Sequence, residues 1–128
     1  LSKEIAKYIH DLKRKFPCIT SIWLVGSRAN GTARADSDWD FLVFSSSPIY
    51  EDIQNNPMFH REDVDLLLVG EDGKLSKPFG EPKGGSLTSW KWNPVSDVLS
   101  HYEGCKWIPD EEQLQKEWKI WEISIAKH

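Results

Sequence analysis

Three short stretches hold residues whose types and spacing can do chemistry together. The first is Gly26-Ser27, directly after the apolar run Ile19 to Val25. A glycine there lets the backbone turn and, lacking a Cβ, lets a ligand approach closely. Ser27 opens a small polar stretch that fits only a short helix, whose first N–H groups have no partner within the helix. Such a helix start suits a phosphate, and the Ser27 hydroxyl adds a donor. Arg28 is balanced between a phosphate contact and a solvated helix surface. The second stretch is Asp38-Trp39-Asp40. Alternate side chains of a strand share a face, so the two carboxylates project together, while Trp39, Phe41 and Val43 take the other face as core. Adjacent carboxylates repel, and a divalent cation removes that penalty. One or two carboxylates with substrate phosphates is the Mg²⁺ pattern. The third stretch is Val64-Asp65-Leu66. Asp65 has apolar neighbours on both sides, where an unpaired charge is costly, so a metal or a substrate proton would justify it. Three carboxylates on neighbouring strands can hold two cations, which activate an attacking hydroxyl and neutralise a leaving pyrophosphate.

Two other acids read differently. Asp36 is a turn residue, as aspartate favours turns. Asp63 shares strand parity with Asp65 but follows Arg61-Glu62 at the charged end of the strand, where water solvates it. Asp65 is therefore the expected third carboxylate.

These residues need elements to hold them. Ile5, Ile9, Leu12 and Phe16 recur at helical spacing and predict a first helix, ended by Pro17. Ile19–Val25, Trp39–Phe44 and Val64–Val69 read as strands, bounded by glycine, serine and proline. The connection Gly70 to Gly85, with five glycines and two prolines, reads as a long functional or mobile loop. Leu87 to Trp92 fits a fourth strand. Asn93-Pro94 then reads as a helix start, with Val95, Val98, Leu99 and Tyr102 at helical spacing and Gly104 as its stop. A last helix from Asp110 carries the apolar stripe Leu114, Trp118, Trp121 and Ile125. The expected fold class is α/β (α+β), a small mixed sheet flanked by helices.

Composition narrows the classes. A chain of 128 residues, 39% hydrophobic and 28% charged, is one globular domain rather than a disordered segment. With 16 basic against 20 acidic residues, the net charge of −4 exerts no general pull on a nucleic-acid backbone. No apolar run approaches the roughly 20 residues that span a bilayer, and the amino end lacks a secretory layout. Cys18 and Cys105 allow one disulfide at most, and reduced thiols in a cytoplasmic protein are expected. Five of the seven tryptophans lie in the last 39 residues. Trp118 and Trp121 read as core, and Trp90-Lys91-Trp92 reads as packing in preference to a base-stacking platform. His101 and Cys105 have a spacing metals use, but two ligands do not make a zinc site.

Gly26-Ser27, ten residues, then Asp38-Trp39-Asp40-Phe41 resembles the signature of the DNA polymerase β-like nucleotidyltransferase superfamily. The fuller string, with Val64-Asp65-Leu66 further on, looks like its minimal nucleotidyltransferase branch. The resemblance covers about residues 19–69 of a single domain spanning 1–128, and leaves the Trp-rich part 70–128 unmatched. It implies a mixed sheet flanked by helices, Mg²⁺ or Mn²⁺, and transfer of a nucleoside monophosphate from a triphosphate such as ATP to an acceptor hydroxyl with loss of pyrophosphate. Gly26 and Ser27, with Arg28 beside them, would bind the nucleotide. Asp38, Asp40 and Asp65 would be the catalytic, metal-holding carboxylates, Asp65 also a base. The acceptor is left open among a small molecule, an RNA end and a protein side chain, with no membrane involved. The rival reading is a nucleotide-binding regulatory or antitoxin-type module on the same fold, acting through a helical protein partner or as a homodimer.

Overall fold

The computed structural model describes residues 2–31, 33–80, 85–96, 99–102 and 121–122. Helix α1, Lys3–Lys15, starts where Ser2 Oγ accepts a hydrogen bond from the Ile5 N–H at 3.2 Å. Glu4 in its first turn and Lys13, Arg14 and Lys15 in its last complement the helix dipole. Its stripe Ile5, Tyr8, Ile9 and Leu12 is buried, as the spacing predicts.

Strands β1 (Ile19–Val25), β2 (Trp39–Ser45), β3 (Val64–Val69) and β4 (Leu75–Ser76) form one mixed sheet in the order β1-β2-β3-β4. β1 and β2 pair antiparallel, β2 and β3 parallel, and β3 and β4 antiparallel. The parallel pair needs a crossover. Helix α3 (Tyr50–Gln54) and a 3₁₀ turn at Pro57–Phe59 supply it, while helix α2 (Ser27–Asn30) joins β1 to β2. Tyr8 of α1 anchors the crossover by donating its hydroxyl to the Phe59 carbonyl at 2.6 Å.

Both faces of the sheet are covered, so its central strands read as continuous apolar runs. Ile22, Leu24, Phe41, Val43, Leu66 and Leu68 share one face and belong to the same core as the α1 stripe. On the other face the Trp92 ring lies 5.3 Å from Trp23, edge-on, and 6.0 Å from Phe44. Trp90 is buried and stacks on Tyr102 at 5.3 Å. The packing role expected of Trp90 and Trp92 is the one they have.

The second half of the chain departs from the expected elements. Residues 87–91 are turns rather than a strand. Ser86 and Ser89 each take the other's backbone N–H onto a side-chain oxygen at 3.0 Å, so serine hydroxyls here replace a strand ladder. Asn93-Pro94 does not start a helix. It is β5 (Asn93–Pro94), paired antiparallel with β6 (Leu99–His101) in a hairpin closed by the Val95 N–H to Leu99 carbonyl bond at 2.9 Å. Val95, placed on the apolar face of the expected helix, is instead 54% exposed. β7 (Trp121–Glu122) completes a three-stranded sheet by pairing with β6. That pairing replaces the expected last helix at these two residues; the rest of that helix, with Leu114, Trp118 and Ile125, lies outside the described residues. Within the expected loop of Gly70 to Gly85, β4 extends the main sheet, and Leu75, Lys77 and Pro78 are buried. Cys18 is a free thiol; Cys105 lies outside the described residues.

Candidate active site

The Gly-Ser turn follows β1 directly. Gly26 has φ +74° and ψ −157°, a conformation open essentially only to glycine. A Cβ at this position would collide with the Asp40 carboxylate, so the glycine is required by a protein neighbour before any ligand is considered. Its N–H donates to the Tyr102 hydroxyl at 2.7 Å. Ser27 then opens α2, one short turn closed by Gly31 in the left-handed region at φ +80°. Ser27 is half-buried, and among the described residues its hydroxyl makes no hydrogen bond.

Arg28 is engaged with the chain itself. Its guanidinium donates to the Ser37 carbonyl at 2.8 Å and to the Ala35 carbonyl at 3.2 Å, and lies 4.3 Å from the centre of the Trp39 ring. It braces the loop that delivers Asp38, a role that neither reading of this residue from sequence contained. Asp36 lies in the turn expected of it.

Asp40 stands opposite Val25 of β1 on one side and opposite Asp65 of β3 on the other. Directly paired residues share a sheet face, so Asp40 and Asp65 form one row beside Gly26. Asp38 immediately precedes β2 and is exposed, whereas Asp40 and Asp65 are half-buried. Asp63 is outside this row. Arg61 holds it with two hydrogen bonds of 2.8 Å, and that contact keeps its carboxyl below the usual range.

Sequence reasoning missed two residues here. Lys77, just past β4, places Nζ 2.9 Å from Asp65 Oδ1. Its side chain is only 6% exposed, and that of Asp65 29%. The signal that leads to it is the cost of leaving Asp65 charged in an apolar strand, which asks for a cation of some kind. Tyr102 is the other. Burial pushes its phenol well above the ordinary range, the hydrogen bond from Gly26 works the opposite way, and the nearby charge of Asp40 adds to the rise.

Among the described residues, no three His, Cys, Asp or Glu side chains converge into a ready metal-holding group. Asp38, Asp40 and Asp65 are thus not a preformed triad. Mg²⁺ needs only one or two carboxylates when substrate phosphates complete its shell. Asp40 with the exposed Asp38 fits that requirement, and Asp65 already has a cationic partner in Lys77.

The mixed sheet thus carries an anion-suited Gly-Ser turn beside a row of carboxylates. Residues 5–128 match the nucleotidyltransferase domain family, and the chain belongs to it. That family is described as the nucleotidyltransferase domain. The chain is also 46% identical over 48 residues to the protein adenylyltransferase MntA of Aphanizomenon flos-aquae (strain 2012/KM1/D3). This match takes in 37% of the chain and 32% of the relative, about a third of the relative's length. No helix among the described residues is long and apolar enough to cross a membrane.

Proposed function

We propose that this domain moves a nucleoside monophosphate from a nucleoside triphosphate to an acceptor hydroxyl with the help of a divalent cation. The observation that carries this reading is the direct pairing of Asp40 with Asp65, beside the Gly26-Ser27 turn. The acceptor oxygen attacks the α-phosphorus, the bond from that phosphorus to the bridging oxygen breaks, and pyrophosphate leaves with that oxygen. Asp65 takes the proton of the hydroxyl. Ser27 and the first amides of α2 hold the outer phosphates. Asp38 and Asp40 would hold Mg²⁺ or Mn²⁺, which supplies charge neutralisation to the triphosphate when bound. Most of the rate in such transfers comes from positioning and electrostatics.

ATP is the proposed donor, and a protein hydroxyl the proposed acceptor, because the relative is named a protein adenylyltransferase. The proposed setting is the cytoplasm, and the proposed unit of function a single nucleotidyltransferase domain. The test is incubation with each radiolabelled triphosphate, Mg²⁺ or Mn²⁺ and a cell extract. Label from the α-phosphate of ATP should move onto protein. Binding of triphosphate with metal but no transfer would instead favour a regulatory module acting through a partner.

A further inference from the structure

Lys77 is the one charged side chain buried among the described residues. The other lysines seen in ion pairs, Lys7 and Lys74, are 78% and 80% exposed. Burying an ammonium is expensive unless a close, well-placed anion offsets it. Asp65 supplies that anion, with its Oδ1 2.9 Å from the lysine Nζ. Asp65 in turn sits directly across from Asp40 in the parallel register. Two carboxylates on adjacent positions of one sheet face repel, and the repulsion grows as water is excluded. The lysine enters from the strand that borders β3 on its outer edge. It therefore meets Asp65 without occupying the side where Asp40 and the Gly-Ser turn lie.

We propose that Lys77 is a positioning residue, a built-in counter-ion that grips Asp65 by one oxygen and keeps the Asp40–Asp65 row assembled before any metal arrives. One oxygen of Asp65 is fixed by the lysine, and the other is left to face the reacting hydroxyl. The kinetic part of this proposal rests on the nucleotide-transfer reading; the part concerning the metal-free site does not. Removing the ammonium leaves the Asp65 carboxylate without its counter-ion beside Asp40, a defect that a divalent cation can repair.

The experiment compares K77M, K77R, D65N and K77M/D65N with the unaltered protein, in chelator and across a Mg²⁺ titration, by thermal unfolding. In chelator, K77M and D65N should each lower Tm, because each strands one charge, and K77M/D65N should recover most of the loss. Mg²⁺ should raise the Tm of K77M more than that of the unaltered protein. In transfer assays K77M should lose about tenfold or more in kcat with KM for the triphosphate little changed, and K77R should regain part of that loss. A double variant no more stable than K77M would make Lys77 a packing group and overturn the proposal. So would a Mg²⁺ response in K77M equal to that of the unaltered protein. If K77M does not fold, D65N and its rescue by the second substitution still decide the matter. Absence of transfer by the unaltered protein would refute the nucleotide-transfer reading while the unfolding data judged Lys77 separately.

Discussion

Asp40 and Asp65 are direct partners across the parallel pairing of β2 and β3. Their carboxylates thus leave neighbouring strands at the same level of the sheet. On the opposite side Asp40 is bounded by Gly26, which has no room for a side chain. This one acid is therefore fixed from both flanks, and it links the Gly-Ser turn to the third carboxylate.

Asp40→Asn and Asp38→Asn should each lower metal-dependent nucleotide transfer by about 100-fold or more, since each removes a proposed ligand for the charge-neutralising cation. The folded state should survive. Turnover assays beside thermal unfolding check both statements, and normal turnover of either variant with Mg²⁺ would remove that residue from the metal site.

Asp65→Asn and Asp63→Asn should differ in both rate and stability. Asp65→Asn strands the Lys77 ammonium and deprives the hydroxyl of its proton acceptor, so it should lose turnover strongly with little change in triphosphate affinity. Asp63 is 49% exposed and paired with Arg61 away from the row, so its replacement should leave turnover near normal. Parallel rate measurements at saturating Mg²⁺ decide, and the reverse pattern would exchange the two roles.

Gly26→Ala should destabilise the protein by about 1–3 kcal/mol from backbone strain alone, because the glycine's conformation is closed to alanine. Collision of the new methyl with Asp40 adds to this. Urea unfolding measures the loss, and a variant as stable as the parent would mean that the turn can relax.

Ser27→Ala should weaken triphosphate binding but not nucleoside binding, because the hydroxyl is assigned to phosphate alone. One hydrogen bond to a charged group is worth about 1.5–3 kcal/mol. Titration calorimetry with both ligands tests it, and equal losses would refute the assignment.

Alkali should unfold the protein by a route that two tyrosines set. Burial raises the phenols of Tyr8 and Tyr102 in the folded state above their ordinary value near 10. The unfolded chain releases those protons first. Stability should be level below about pH 10 and should fall as pH rises from there towards the folded values. Unfolding free energies measured against pH should lose part of this slope in Tyr8→Phe and in Tyr102→Phe. An unchanged slope in both would assign the alkaline loss to other groups.

Much of the four-stranded sheet was legible in the sequence because its determinants are local. A seven-residue apolar run such as Ile19–Val25 has few alternatives to a buried strand, and its bounds are those of β1. The period of two placed Asp40 on the face opposite Phe41, and the apolar surroundings of Asp65 singled it out over Asp63. Lys77 and Tyr102 were not legible, since they reach the site from 12 and 76 residues away from the atoms they bond. Nothing near either residue in sequence records that partner. The helix expected after Asn93 failed for a related reason. Its cap and proline are sound local signals, but pairing with β6 and the packing of Trp92 and Tyr102 against the sheet outweighed them.

The parallel pairing of β2 with β3 also has a history in time. β1 and β2 are joined by the shorter of the two connections, with no crossover to complete, and can zip together first. Their hairpin already displays Gly26, Ser27, Asp38 and Asp40. β3 can dock only after the crossover through α3 has folded back, and distant pairings of this kind form slowly. A chain emerging from synthesis would therefore present the Gly26-Ser27 turn before Asp65, and Lys77 after both. The proposed cradle for a triphosphate and the proposed acid that acts on it are thus assembled at different moments of folding, in that order.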